Sequence, residues 1–188
     1  MSVVAGIVLA AGTSSRFGSA NKLLADWKGQ PMVRVVAEAA LATELEPVIV
    51  VTGHEHEKVQ AALAGLDVVI VHNGDYASGQ AGSVKVGISV LPDTCDGAMI
   101  LLADMPRVCP GDINELLDAF ENDSKIVVPV FDNQRGNPVI FGRAHLGKIS
   151  NLSGDKGARE LLSGDFVIRV QMDNDGVLQD FDTPDSLG

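Results

Sequence analysis

Four stretches of this chain place polar or charged residues directly beside apolar runs, where they could act on a ligand. The first runs Leu9-Ala10-Ala11-Gly12-Thr13-Ser14-Ser15-Arg16-Phe17-Gly18 and is followed by Lys22. Arg16 and Lys22 are the only cations in the first 27 residues, and both fall in this loop. Small residues let backbone N–H groups close around an anion, so the combination suits a triphosphate. The second stretch, Gly79-Gln80-Ala81-Gly82-Ser83, opens a helix that contains Gly87. Ser83 is expected to cap that helix, and the glycines permit close approach of a flat base or sugar. The third, Ile100-Leu101-Leu102-Ala103-Asp104-Met105-Pro106, delivers a carboxylate at the end of a buried strand, where Pro106 stops the strand. Magnesium takes oxygen ligands, commonly one or two carboxylates plus substrate phosphates, and Asp104 meets that need. The fourth is acidic, Asp180-Phe181-Asp182-Thr183-Pro184-Asp185.

Each stretch also has an ordinary structural account: a tight strand–helix turn, a glycine-rich helix start, a turn aspartate and a solvated acidic segment. Two better-known phosphate motifs fail on spacing. A P-loop needs four residues between its glycines and then Lys-Ser/Thr, but five separate Gly12 from Gly18, and Ser19 follows. The dinucleotide fingerprint needs a second glycine at position 14, which is Ser. Other chemistries are discounted. His54 and His56 stand two apart and would not share a helix face. His72 and His145 lack a His or Cys neighbour at ligand spacing, and nothing in sequence activates Cys109.

These residues need a scaffold, and the hydropathy pattern supplies one. Short β-branched runs at Val3–Leu9, Pro47–Val51, Val68–Val71, Ala98–Leu102, Ile126–Val130, Pro138–Phe141 and Phe166–Val170 read as strands. The early runs are continuously apolar, as in strands buried on both faces. Between them, apolar residues recur at helical spacing, for example at Val33, Val36, Ala37 and Ala40, and again at Ile113, Leu116 and Phe120. Strand–helix–strand alternation implies right-handed crossovers and a mostly parallel sheet with helices on both faces. After about Ser124 the alternation loosens into an antiparallel subregion expected to cover one side of the sheet. The whole of 1–188 reads as a single domain, and ligands of such a sheet bind beyond the carboxyl ends of its strands.

Composition narrows the partners. With 25 acidic and 14 basic residues the formal net charge is −11, which disfavours nucleic acid. The apolar run after Met1 is far short of the roughly 20 residues a membrane span needs. Two cysteines build neither a disulfide scaffold nor a thiolate zinc site. The expected setting is cytoplasmic, with neither membrane nor nucleic-acid partner.

Taken in order, Leu9-Ala10-Ala11-Gly12-x-Ser14-x-Arg16-x-Gly18 with Lys22 resembles the nucleotide-binding signature of the MobA/MocA-like nucleotidyltransferases. The chain most resembles the molybdenum cofactor cytidylyltransferases, since Ala11 stands where the guanylyltransferase branch has Gly. The resemblance continues at Gly79, Ser83 and Gly87, with Gln80 for the family's Met and Val84 for its Leu. It extends to Arg135-Gly136-Asn137-Pro138, to Gly154-Asp155-Lys156-Gly157-Ala158-Arg159 and to Asp180-x-Asp182-Thr183-Pro184.

The resemblance implies a Rossmann-like nucleotidyltransferase fold whose first loop wraps the triphosphate, with Arg16 and Lys22 on its phosphates during catalysis. It implies Mg²⁺ on Asp104 and Asp182, and an anionic acceptor met by Arg135, Asn137 and Arg159. It points to CTP as donor, to the molybdopterin form of the molybdenum cofactor as acceptor, and to a molybdoenzyme or its chaperone as recipient of the product. GTP or another nucleotide with a different phosphorylated acceptor, and a non-catalytic nucleotide-binding regulator, are the alternatives.

Overall fold

The computed structural model of the protein describes residues 2–13, 21–150 and 161–181. The first half runs β1 (Val4–Ala10), β2 (Asp26–Trp27), β3 (Gln30–Pro31), α1 (Met32–Leu41), β4 (Val48–Thr52), α2 (His56–Ala62), β5 (Val69–His72) and α3 (Gln80–Ser89). The second half adds β6 (Gly97–Leu102), α4 (Pro110–Asp118), β7 (Ile126–Phe131), β8 (Gln134–Arg135), β9 (Val139–Gly142), α5 (Arg143–Ser150) and β10 (Val167–Gln171).

Every residue of β1 and of β4 is buried, as the apolar runs Val4–Ala10 and Val48–Val51 require, and Thr52 closes β4 as a buried polar residue. The main sheet has the order β10-β7-β9-β6-β1-β4-β5. Pairing is parallel from β6 through β1 and β4 to β5, and again between β7 and β10. Alternation along β1 divides the core. Val4, Val8 and Ala10 pack with residues of α1, α2 and α4, while Ile7 and Leu9 face the side covered by α3 and α5. Fully burying a side chain such as Ile7 or Ile49 contributes about 1.5–3 kcal/mol.

The antiparallel part is placed differently from the sequence expectation. It does not cover a side of the sheet: β9 enters the sheet and pairs with both β6 and β7. Its Val139–Gly142 segment is buried throughout, so both rows of backbone groups need strand partners. A tight hairpin at Asp132 and Asn133, both at positive φ, then pairs β8 with β7. Two other elements were not expected, the short β2–β3 hairpin and α5.

The chain winds outward from β1 through β4 to β5, then crosses back to β6 on the other side of β1. Strand order reverses there, which leaves a crevice beyond the carboxyl ends of β1 and β6. The α3 helix closes one face of this region by pressing Gly87 onto the sheet. A Cβ at Gly87 would lie 2.6 Å from Ile7 Cγ2 and 3.2 Å from Val51 Cγ2. Gly87→Ala is therefore expected to destabilise the fold by about 1–3 kcal/mol through overpacking. Urea denaturation measures this, and an unchanged midpoint would contradict the close packing.

Candidate active site

The crevice between β1 and β6 is built by short, well-anchored turns. After β1 the chain passes through Ala11, Gly12 and Thr13; after β6 it passes through Ala103 into Asp104. The Ala103 N–H donates to the Leu9 carbonyl at 3.2 Å, tying the two strand ends together. Lys22 begins a 3-10 turn over Lys22–Leu24. The Asn21 side chain caps that turn by accepting from the Leu23 N–H at 3.1 Å, and Leu23 is buried in the core beneath. Held in this way, Lys22 Nζ reaches Asp104 Oδ2 at 2.6 Å. The two residues are 82 positions apart in sequence and meet only through the fold.

A cavity of about 310 Å³ opens over this pair. Its lining includes Leu9, Ala11, Gly12, Lys22, Gly79, Ser83 and Asp104, so the structure brings these seven sequence-predicted residues together. Tyr76, Ala77, Gln80 and Leu102 are also part of the wall. Gly79 takes φ +115°, which a side chain would strain, and turns the chain so that α3 starts at the cavity. The positive end of that helix favours negative charge.

Two predicted residues stand elsewhere. Ala10 is buried within β1 among the core residues on the α1 side, and Gly87 lies in the contact between α3 and the sheet. Ser83 lines the cavity but does not cap α3: it lies inside the helix, and Gly79 holds the cap position. Its hydroxyl instead accepts from Asn73 Nδ2 at 3.1 Å.

A second cavity of about 370 Å³ adjoins the first, sharing Leu9, Gln80 and Leu102. Arg135, Gly136 and Asn137 line it, opposite Ile149 and Leu162. The Asn137 N–H donates to the Val177 carbonyl at 2.9 Å, and the Gly136 N–H to the Pro129 carbonyl at 2.9 Å. Arg135 and Asn137 are thus set beside the first cavity on a firmly bonded edge.

Ser14, Arg16, Gly18, Arg159 and Asp182 lie outside the described residues. The chain just before Asp182 is well tied. The Phe181 N–H donates to the Asp104 carbonyl at 3.0 Å. The Phe181 ring packs 4.6 Å from Trp27, and the Arg107 guanidinium sits 5.7 Å from its centre. Sequence reading missed this stack, because Trp27 and Phe181 are distant in sequence and carry no motif of their own.

The donor chemistry suits a hard cation. Asp104 supplies carboxylate oxygen at the crevice, and among the described residues no group of three or more His, Cys, Asp and Glu could hold a metal. Magnesium commonly takes one or two carboxylates and draws its remaining ligands from substrate phosphates and water, so a single carboxylate at the crevice is compatible with it. His56 and His72 do approach, with ring centres 4.5 Å apart, although their spacing in sequence gave no hint of it. The Nδ1 of His56 bonds the Thr52 hydroxyl at 2.7 Å.

A wider groove of about 1210 Å³ lies at the opposite end of the strands, near Val4 and Val48. Glu44, Glu46, Asp67, Asp96, Asp118 and Glu121 line it, and this charge repels a triphosphate. The Lys22 ammonium stands instead at the carboxyl ends of the strands.

The model of the MobA-like NTP transferase domain matches residues 6–172 of this chain. The chain belongs to that family. The purine catabolism protein PucB of Bacillus subtilis is 31% identical, over 96% of this chain and 92% of its own. The molybdenum cofactor cytidylyltransferase of Escherichia coli is 29% identical, over 100% and 95%. Rv0371c of Mycobacterium tuberculosis superposes with a TM-score of 0.85 at 28% identity, covering 98% of this chain and 95% of that one. A manganese complex of Rv0371c gives a TM-score of 0.74 at 27% identity, covering 92% and 90%. The fold is accordingly that of a MobA-like nucleotidyltransferase, and the Lys22–Asp104 crevice is its candidate active site. Among the described residues no helix is long and apolar enough to cross a membrane.

Proposed function

We propose that this MobA-like protein transfers cytidylyl from CTP to the terminal phosphate of the molybdopterin form of the molybdenum cofactor. A phosphate oxygen of the acceptor attacks the α-phosphorus in line. The new O–Pα bond forms as the bond from Pα to the bridging oxygen breaks, and pyrophosphate departs with that electron pair. No covalent enzyme intermediate is needed, so the protein contributes position and charge.

Lys22, with Arg16 and the backbone amides of the first loop, holds the departing phosphates and offsets their growing charge. The base rests against Gly79, Gln80 and Ser83. Arg135, Asn137 and Arg159 bind the anionic acceptor, for which a guanidinium fork is well shaped. Asp104 and Asp182 would hold Mg²⁺, which when bound neutralises phosphate charge.

The observation that carries this reading is the 2.6 Å Lys22–Asp104 pair at the strand switch point. A cation and a carboxylate stand together there, beside two adjoining cavities of about 310 and 370 Å³, which supports a nucleotide and an acceptor bound side by side. The similarity to a cytidylyltransferase over the full chain supports CTP. A second reading, another nucleotide or acceptor, is supported by Gln80 on the wall of both cavities and by the similarity to PucB.

Isotope labelling tests the bond that breaks. With molybdenum cofactor present, label in the α-phosphate of CTP should enter the acceptor, and label in the γ-phosphate should appear in pyrophosphate. Release of γ-label as inorganic phosphate would instead indicate hydrolysis and contradict the proposal.

A further inference from the structure

Asn73 follows β5 directly and is 4% exposed. Its backbone N–H donates to the Thr52 carbonyl at 2.8 Å, which fixes it at the end of the sheet. Its side-chain Oδ1 accepts from the Asp75 N–H at 3.0 Å. With the oxygen so occupied, the amide has one orientation, and Nδ2 must face Ser83. Ser83 is 3% exposed, and its hydroxyl oxygen accepts that Nδ2 proton at 3.1 Å. A serine inside a helix ordinarily returns its own proton to a carbonyl one turn back. Ser83 makes no such bond, and Asn73 is its side chain's hydrogen-bond partner among the described residues. A hydroxyl that accepts from an amide keeps its proton as a donor. Ser83 lines the nucleotide cavity with Gly79 and Gln80, so that donor belongs to whatever rests there.

We infer that Asn73 is a positioning residue that makes Ser83 a dedicated donor to a carbonyl oxygen of the nucleobase. Cytosine, uracil and guanine each carry such an oxygen; adenine carries none. The Asn73–Ser83 pair therefore sets selectivity against ATP. This rests on the nucleotidyltransferase reading above and extends it to a residue that does not itself touch substrate.

Binding of CTP and of ATP to the full chain, measured by calorimetry in the wild type and three variants, tests the inference. Ser83→Ala removes the donor and should weaken CTP by about tenfold, the worth of one good hydrogen bond, while leaving ATP unchanged. Asn73→Asp keeps the size and the bond to the Asp75 N–H, yet presents Ser83 with an acceptor in place of a donor. The Ser83 proton then turns inward, and the CTP-to-ATP affinity ratio should fall by about the same tenfold. A new negative charge repels both nucleotides alike, so the ratio isolates the proton's direction. The double variant Asn73→Asp/Ser83→Ala should have the ratio of Ser83→Ala alone, because both changes remove the same donor.

An unchanged ratio in a folded Asn73→Asp protein whose wild type binds CTP would overturn the inference and leave the transferase reading standing. Independent, multiplying losses of the ratio in the double variant would overturn it as well. Absence of nucleotide binding by the wild type would defeat the transferase reading itself, and this inference with it.

Discussion

Asp104→Asn should lower turnover by at least about a thousandfold while the protein stays folded. Asparagine keeps the shape of the side chain and one carbonyl oxygen, so the turn after β6 and the Phe181 bond to the Asp104 carbonyl survive. What is lost is the negative charge that the proposed metal role requires. The stability cost should be modest, about 1–2 kcal/mol, because the Lys22–Asp104 pair is partly open to water at 13% and 19% side-chain exposure. Turnover by pyrophosphate release and stability by urea denaturation separate the two effects. A variant that is fully folded and releases pyrophosphate at the wild-type rate would remove Asp104 from the chemistry.

Lys22→Met should lower turnover by about a hundredfold to a thousandfold. Methionine preserves an apolar stem of similar length and deletes only the ammonium. The need for this cation follows from the charge of the molecule. At −11 overall, with six carboxylates around the groove at the far end of the strands, the protein does not draw in a triphosphate by its general field. Attraction has to be local, and Lys22 is the cation that the described structure places at the crevice. Steady-state kinetics should show kcat falling more than KM rises, since the charge on the departing pyrophosphate grows toward the transition state. A rise in KM at unchanged kcat would reduce Lys22 to ground-state binding.

The parts of the protein that could be read from sequence are those whose residue pattern is local. β1, β4 and β6 announced themselves because strands covered on both faces must be apolar at every position. Asp104 was legible for the same reason, as the first charge after such a strand. α5 was not, because Arg143–Ser150 has only Leu146 and Ile149 as large apolar residues and shows little helical stripe. The entry of β9 into the sheet depends on pairing with β6 and β7, and no pattern within β9 specifies its neighbours.

Glycine is ambiguous in sequence. Gly79 serves a turn at the cavity, while Gly87 serves the packing of a helix on a sheet, and both looked like room for a ligand. Asn73 and Ser83 were readable only in part. Ser83 belonged to a motif, but the bond that orients its hydroxyl comes from a different element. The Trp27–Phe181 stack joins a short hairpin to the far end of the chain, and only the fold makes them neighbours.

On the proposed function, the crevice between β1 and β6 transfers a cytidylyl group from CTP to molybdenum cofactor. The most direct test is pyrophosphate release by the wild-type protein with each of the four nucleoside triphosphates, in the presence and absence of molybdenum cofactor and with Mg²⁺ supplied. Strong release with CTP, only when the cofactor is present, is the predicted result. Release that is indifferent to the cofactor, or that favours another nucleotide, would contradict it.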